Sequence, residues 1–192
     1  MASIVEDWMV LAVKKNGKLD YGFGPGPADF VRAGLLMEFV VRGAIGVTGG
    51  RDQFGEAVFA VLDAGPTGDG ALDRALVSLG AGLPASIGGP FDELPDPTDL
   101  VAAGLVAAGV FEPGKRPTLA DPARRDALAA RISATPTDAR SVAVSMLLGM
   151  GNQVSGWIPV FSPDLTGDGG QPIGPAVAEG LEAVMGYLAA GL

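Results

Sequence analysis

Apolar residues recur in short blocks cut apart by Gly, Pro, Asp and Asn, and the period within each block predicts its element. Val31, Leu35 and Phe39, with Leu36 and Val40, follow the i, i+4 spacing of a buried helical face over about Ala28 to Arg42. Glu38 and Arg42 form an i, i+4 pair in the favourable order, and Gly43 stands where a helix-ending glycine belongs. Upstream, Ile4 to Val13 reads as a short helix that buries Trp8 and Met9. Lys14 to Lys18 is a polar turn, and Tyr21 to Pro27 a rigid Gly/Pro loop.

Ala44 to Val47 and Ala57 to Leu62 read as two strands joined through Gly49-Gly50-Arg51-Asp52, a β-hairpin. Pro66-Thr67-Gly68-Asp69 is turn chemistry, with Asp69 placed to cap a helix over Gly70 to Leu79. Gly80 to Pro95 reads as a connector, and Pro97-Thr98-Asp99 opens a helix to about Ala108. Asp121-Pro122 is a cap followed by Pro at the first helical position, starting a helix through Ile132. Thr137-Asp138 starts another, to about Gly151, and Ala176 to Ala189 forms the last. The expected fold is mainly α, about seven helices and one hairpin within a single domain spanning 1–192.

Composition narrows the chemistry. The chain has 192 residues, a net charge of −9, and neither His nor Cys. That excludes disulfides, Cys/His zinc sites and His-dependent nucleophilic catalysis. A pI near 4.4 argues against general nucleic-acid binding. No cofactor or metal is expected: Gly22 to Gly26 follows no strand and lacks the Lys-Ser/Thr of a phosphate loop, and Asp164 and Asp168 miss the calcium-loop spacing. The acidic N-terminus is unlike a signal peptide, and the longest apolar run, Leu100 to Phe111, falls short of the roughly 20 residues that span a bilayer. The expected location is cytoplasmic, with any membrane contact peripheral. Lys115 to Arg140 carries +3 while the remainder carries −12, and the bland reading of that island is a solvated helix face.

The motifs resemble one known family. Arg32-Ala33-Gly34-Leu35-Leu36-Met37-Glu38-Phe39-Val40-Val41-Arg42-Gly43 is similar to the second-helix signature of the Golgi phosphoprotein 3 family. Gly65-Pro66-Thr67-Gly68-Asp69-Gly70-Ala71-Leu72-Asp73-Arg74-Ala75-Leu76 resembles its "PTGD…LDEAL" motif, and Leu105 to Phe111 its "LVEKGVL". Ala120 to Ile132 resembles its Asp-Pro helix, and the similarity runs in order along nearly the whole chain. The resemblance implies a central helix bundle surrounded by amphipathic helices, with one protruding β-hairpin. It also implies a domain that, in eukaryotic relatives, binds phosphatidylinositol 4-phosphate, sits peripherally on Golgi membranes and self-associates through the hairpin. The Ala/Gly-rich, Lys-poor composition suggests a high-GC bacterium, where a Golgi role does not apply.

The family's lipid site uses an aromatic before the second helix, one arginine within it, and two arginines opening a later helix. By position, Phe23 stands at the aromatic and Arg32 at the helix-borne arginine, while Pro95 and Thr98 stand at the other two. A phosphorylated head group is best met by arginine forks, so two lost arginines remove most of the charge complementarity. Arg116, Arg124 or Arg125 are the candidates to replace them, giving Phe23, Arg32, Arg124 and Arg125 as candidate ligand-binding residues. Arg32 also reads as the exposed face of an amphipathic helix, and Phe23 as a loop anchor on the core.

The expected function is a non-catalytic binding module, for an anionic phospholipid head group or a protein partner, and homo-oligomeric through the hairpin at 44–62. The alternative is an enzyme or small-molecule binder that uses a remodelled apolar pocket. Its acid/base groups are limited to carboxylates, Tyr21, Tyr187 and the few lysines, and Glu38 is the carboxylate nearest the interior. A purely structural scaffold ranks third.

Overall fold

The computed structural model describes residues 3–14, 26–68, 70–86, 88, 94, 96–133, 138–152 and 173–190. The readings placed on Tyr21, Phe23, Asp69, Pro95, Asp164 and Asp168 lie outside them.

Seven helices are described: α1 (Ile4–Ala12), α2 (Pro27–Val41), α3 (Gly70–Gly80), α4 (Thr98–Ala107), α5 (Pro122–Ser133), α6 (Ala139–Asn152) and α7 (Pro175–Ala190). Their starts follow the capping chemistry of the sequence. Ser3 and Glu6 form a reciprocal capping box on α1. Asp121 accepts the Ala123 N–H at the head of α5, and Asp138 accepts the Ser141 N–H at the head of α6, both at 2.9 Å. Gly43, with φ of 71°, turns the chain out of α2 through the left-handed region.

α2 is the hub: it packs against α1, α4, α6, α7 and the first strand. Ten of its fifteen residues, Phe30, Val31, Ala33 to Val40, are buried, which a helix exposed on one face would not allow. Trp8 of α1 stacks on Phe30 with ring centroids 5.3 Å apart. α7 comes close to α2 because Gly180 lacks a side chain; a Cβ there would lie 2.7 Å from a Val40 methyl.

The strands β1 (Ile45–Arg51) and β2 (Ala57–Val61) pair antiparallel, with Ile45 opposite Val61 and Val47 opposite Phe59. The hairpin's base is anchored by Ile45 and Phe59, both buried, while Phe54 near its tip is 79% exposed. Two expectations are corrected here. The turn lies at Asp52–Glu56 rather than Gly49–Asp52, because the Asp52 carboxylate accepts the N–H groups of both Phe54 and Glu56; Gly49 and Gly50 belong to an irregular stretch of β1. Gly80 to Pro95 is also more than a connector: it contributes β3 (Ala85–Ser86), which pairs with Val58 and Phe59 on the open edge of β2.

Candidate functional site

Glu38 is fully buried, yet its charge is met on every side. Oε2 accepts the Ile4 N–H at 2.8 Å, and Oε1 accepts from Arg42 Nε at 2.7 Å and Arg140 Nη2 at 2.8 Å. Arg42 reaches on from there to donate to the Thr67 carbonyl at 3.1 Å. Thr67 in turn donates its N–H and hydroxyl to Asp73 Oδ1, at 2.6 and 2.7 Å. These hydrogen bonds from Thr67 hold the Asp73 carboxyl below its ordinary range. The second-helix signature and the Pro-Thr-Gly-Asp motif are therefore one continuous hydrogen-bonded chain. It ties α2 to α3 and, through Arg140 and Ile4, to α6 and α1. Its chemistry is structural, since each charged oxygen named already has its donors.

The basic island is divided between two roles. Arg131 pairs with Asp7 at 2.8 Å and Arg140 with Glu38, while Lys115, Arg116 and Arg124 face solvent. Burial raises the Asp7 carboxyl above its ordinary value, and Arg131 opposes that shift only in part. A raised folded pKa means that ionising Asp7 costs the folded state stability as pH rises through that value. Asp7→Asn is accordingly expected to raise Tm at pH 7, although it gives up the pair with Arg131, which is itself 56% exposed. The gain should shrink on acidification and vanish below the unfolded value of 3.8, which melts across pH 3 to 7 would check.

Of the candidate ligand residues, Phe23 and the Pro95 position lie outside the described residues. Arg32 sits on the second turn of α2 with its side chain 19% exposed. Its Nε donates to the Leu94 carbonyl at 2.8 Å and its Nη1 to Asp29 Oδ1 at 3.1 Å. Thr98 opens α4 and gives its N–H to Asp96 Oδ1 at 2.9 Å. Hydrogen bonding from Thr98, and at longer range the Arg32 guanidinium, hold Asp96 below the usual carboxylate range. Arg32 thus faces one carbonyl and two carboxylates. Arg124 and Arg125 lie on α5, which packs on α1 and α6. There Arg124 acts on Asp7, and burial lowers the Arg125 guanidinium from its ordinary value, against Asp126. The structure joins Arg32 to the start of α4, and gives Arg124 and Arg125 different neighbours.

Beside Arg32 opens a cleft of about 290 Å³ between α2, α3 and α4. Leu35, Leu94, Leu100, Val101 and Ala75 make it mainly apolar, with Arg74, Ser78 and Asp96 adding its polar groups. Leu35 and Leu94 are buried, whereas Leu100 is 51% exposed. Sequence reasoning did not assemble this cleft, because its walls come from three elements with no shared spacing. One signal was present: Arg74 stands where the resembled motif has an acid. A broader cleft of about 420 Å³ lies between the hairpin and α7, where Glu56, Glu179 and Glu182 accompany Arg51. Among the described residues no group of three or more His, Cys, Asp or Glu is arranged to hold a metal, and no helix is long and apolar enough to cross a membrane.

The chain matches no curated protein. The family described as Golgi phosphoprotein 3 (GPP34) matches residues 4–164, which takes in α1 to α6, the sheet, the hydrogen-bonded motif chain and the cleft beside Arg32. The chain belongs to the Golgi phosphoprotein 3 (GPP34) family.

Proposed function

We propose that this chain is a non-catalytic binding module whose ligand occupies the apolar cleft between α2, α3 and α4. The observation that carries this reading is the pairing of an apolar cleft with a committed Arg32 at its side. A head-group site in the manner of the phosphoinositide-binding relatives needs free guanidinium forks. Here Arg32 gives Nε to the Leu94 carbonyl and one Nη1 hydrogen to Asp29, so a phosphate would share the guanidinium with a carboxylate already paired to it. At about 290 Å³ the cleft stands at the small end of ligand pockets, which run from roughly 300 to 1,000 Å³. It suits a small apolar body better than an inositol phosphate.

Flotation with liposomes containing phosphatidylinositol 4-phosphate, beside plain and generally anionic vesicles, tests the reading. No selective retention is expected, and Arg32→Ala should change nothing. Selective retention that disappears in Arg32→Ala would overturn the cleft reading in favour of a head-group site with peripheral membrane attachment.

We further propose self-association through the hairpin. Support comes from Phe54, a large aromatic 79% exposed on an arm whose base is fixed to the core. Light scattering at micromolar concentration should give more than the monomer mass, and Phe54→Ser should lower it. A clean monomer for the unaltered protein would dispose of the idea.

A further inference from the structure

Two charged side chains line the α2–α3–α4 cleft, and they are opposite in sign: Arg74 on α3 and Asp96 just before α4. No ion pair joins them, and the Arg74 side chain makes no hydrogen bond or ion pair among the described residues. Ser78 stands one turn beyond Arg74 on the same face of α3, and its hydroxyl adds a second donor to that wall. Asp96 is exposed, and Thr98 holds its carboxyl below the usual range, so it is charged at neutral pH. Thr98 has only an N–H and a hydroxyl to donate, whereas a carboxylate offers about four acceptor positions. Asp96 therefore retains capacity for a ligand's donor. Arg32 and Asp29 pair with one another at 3.1 Å outside this lining, and Arg32 reaches Asp96 only through its field. The rest of the wall is mainly apolar, with Leu35, Leu94, Leu100 and Val101 its largest side chains.

From this arrangement we infer that the cleft's ligand is a small zwitterion, a free α-amino acid with an apolar side chain. Its carboxylate meets Arg74 and Ser78, its ammonium meets Asp96, and its side chain lies against Leu35, Leu94, Leu100 and Val101. The inference rests on the cleft reading above and adds the ligand's class and the residues that select it. Charge restricts the choice from both sides. An anion that meets Arg74 brings like charge to Asp96, and a cation that meets Asp96 brings like charge to Arg74. A neutral apolar molecule takes water from both charges and gives them nothing in return, which is unfavourable. A zwitterion satisfies both. An α-amino acid carries its two charges on one carbon, so its side chain is left to fill the apolar part. Arginine suits the carboxylate because its planar fork pairs two-pronged while its methylene stem lies along apolar surface. Size agrees: at the roughly 30 Å³ that a water molecule takes in the liquid, about 290 Å³ holds a molecule of about ten non-hydrogen atoms, the scale of leucine. The half-exposed Leu100 then gains an apolar partner at the cleft's mouth. The broader cleft beside α7 sets Glu56, Glu179 and Glu182 against Arg51 alone and lacks this balance.

Calorimetric titration with four molecules of similar shape tests the assignment: leucine, isocaproate (leucine without its ammonium), isoamylamine (leucine without its carboxylate) and isoamyl alcohol, which carries no charge. Leucine should bind the unaltered chain about threefold to fivefold more tightly than either singly charged analogue, the scale of one exposed ion pair. Asp96→Asn, which keeps an acceptor for the Thr98 N–H, should lower leucine to the affinity of isocaproate and leave isocaproate unweakened. Arg74→Gln should lower leucine to the affinity of isoamylamine and leave isoamylamine unweakened. Ala75→Phe, which fills the cleft, should abolish binding of all four, with its own melting curve confirming that it folds; Ser78→Phe, at an exposed position of the same wall, takes its place if it does not. Leucine binding no more tightly than one of its analogues, with the filled cleft still abolishing binding, would overturn the zwitterion assignment and leave the cleft reading standing. Binding of none of the four to the unaltered chain, or binding that the filled cleft leaves intact, would overturn both.

Discussion

Glu38→Ala is expected to destabilise the protein by about 3–5 kcal/mol, the cost of removing one partner from a buried charge network. The magnitude follows from what remains. Arg140, only 18% exposed, keeps its charge and loses its carboxylate, and the Ile4 N–H loses its acceptor at the first turn of α1. Arg42, 30% exposed, is freed to solvent and its hold on the Thr67 carbonyl slackens. For a chain of this size the loss corresponds to a Tm drop on the order of 10 °C. Glu38→Gln retains a neutral acceptor for Ile4 and should lose less. Replacing both partners with apolar residues, as in Glu38→Leu with Arg140→Met, should recover part of the loss, because no charge is then stranded in the interior. Denaturant unfolding of the single and double variants decides the matter. A Glu38→Ala loss below about 1 kcal/mol, the scale of a surface pair, would show that the network contributes nothing beyond local solvation.

The sequence was most informative where local chemistry alone determines structure. The seven helices fall close to their expected bounds because caps such as Asp121 and Asp138, the glycine at 43 and the spacing of Val31, Leu35 and Phe39 act within one or two turns. Burial of Trp8 and Met9 followed from the same local reading. Non-local arrangements were less accessible. β3 exists because β2 leaves an edge open, and nothing in Ala85-Ser86 itself announces a strand. The hairpin turn moved because one side chain, Asp52, outcompeted the two glycines for the reversal. The pair of Glu38 with Arg42 was visible at i, i+4, but Arg140 is about a hundred residues away in sequence and came to Glu38 only through the packing of α6. The family motifs were recognisable, yet their role as a hydrogen-bonded chain required seeing Arg42 meet Thr67. The cleft needed three elements at once. Of its lining, only Arg74 differed from the motif in a way the sequence could display.

Trp8→Ala should cost about 3–5 kcal/mol, on a par with Glu38→Ala and by a different route. Trp8 is 1% exposed, as is Phe30, and the two rings lie nearly parallel at an interplanar angle of 7° with centroids 5.3 Å apart. Truncation removes the largest buried side chain of α1 and opens a cavity under the first turn of α2. The loss therefore includes the transfer term, the cavity term and the stacking contribution of about 0.5–1.5 kcal/mol. Trp8→Phe keeps a ring over Phe30 and should lose roughly half as much. The contacts also fix how α1 lies on α2. Ile4, at its start, meets Glu38 near the end of α2, whereas Trp8, further on, meets Phe30 near the beginning, so the two helices run antiparallel. One end of the nine-residue α1 is held by a charge-assisted hydrogen bond and its middle by a stacked ring. Each contact depends on the same helix staying docked, so a variant combining the milder Trp8→Phe and Glu38→Gln should lose less stability than the sum of the two single losses. Strict additivity in denaturant unfolding would instead show that the two attachments act independently, and that α1 does not dock as a unit.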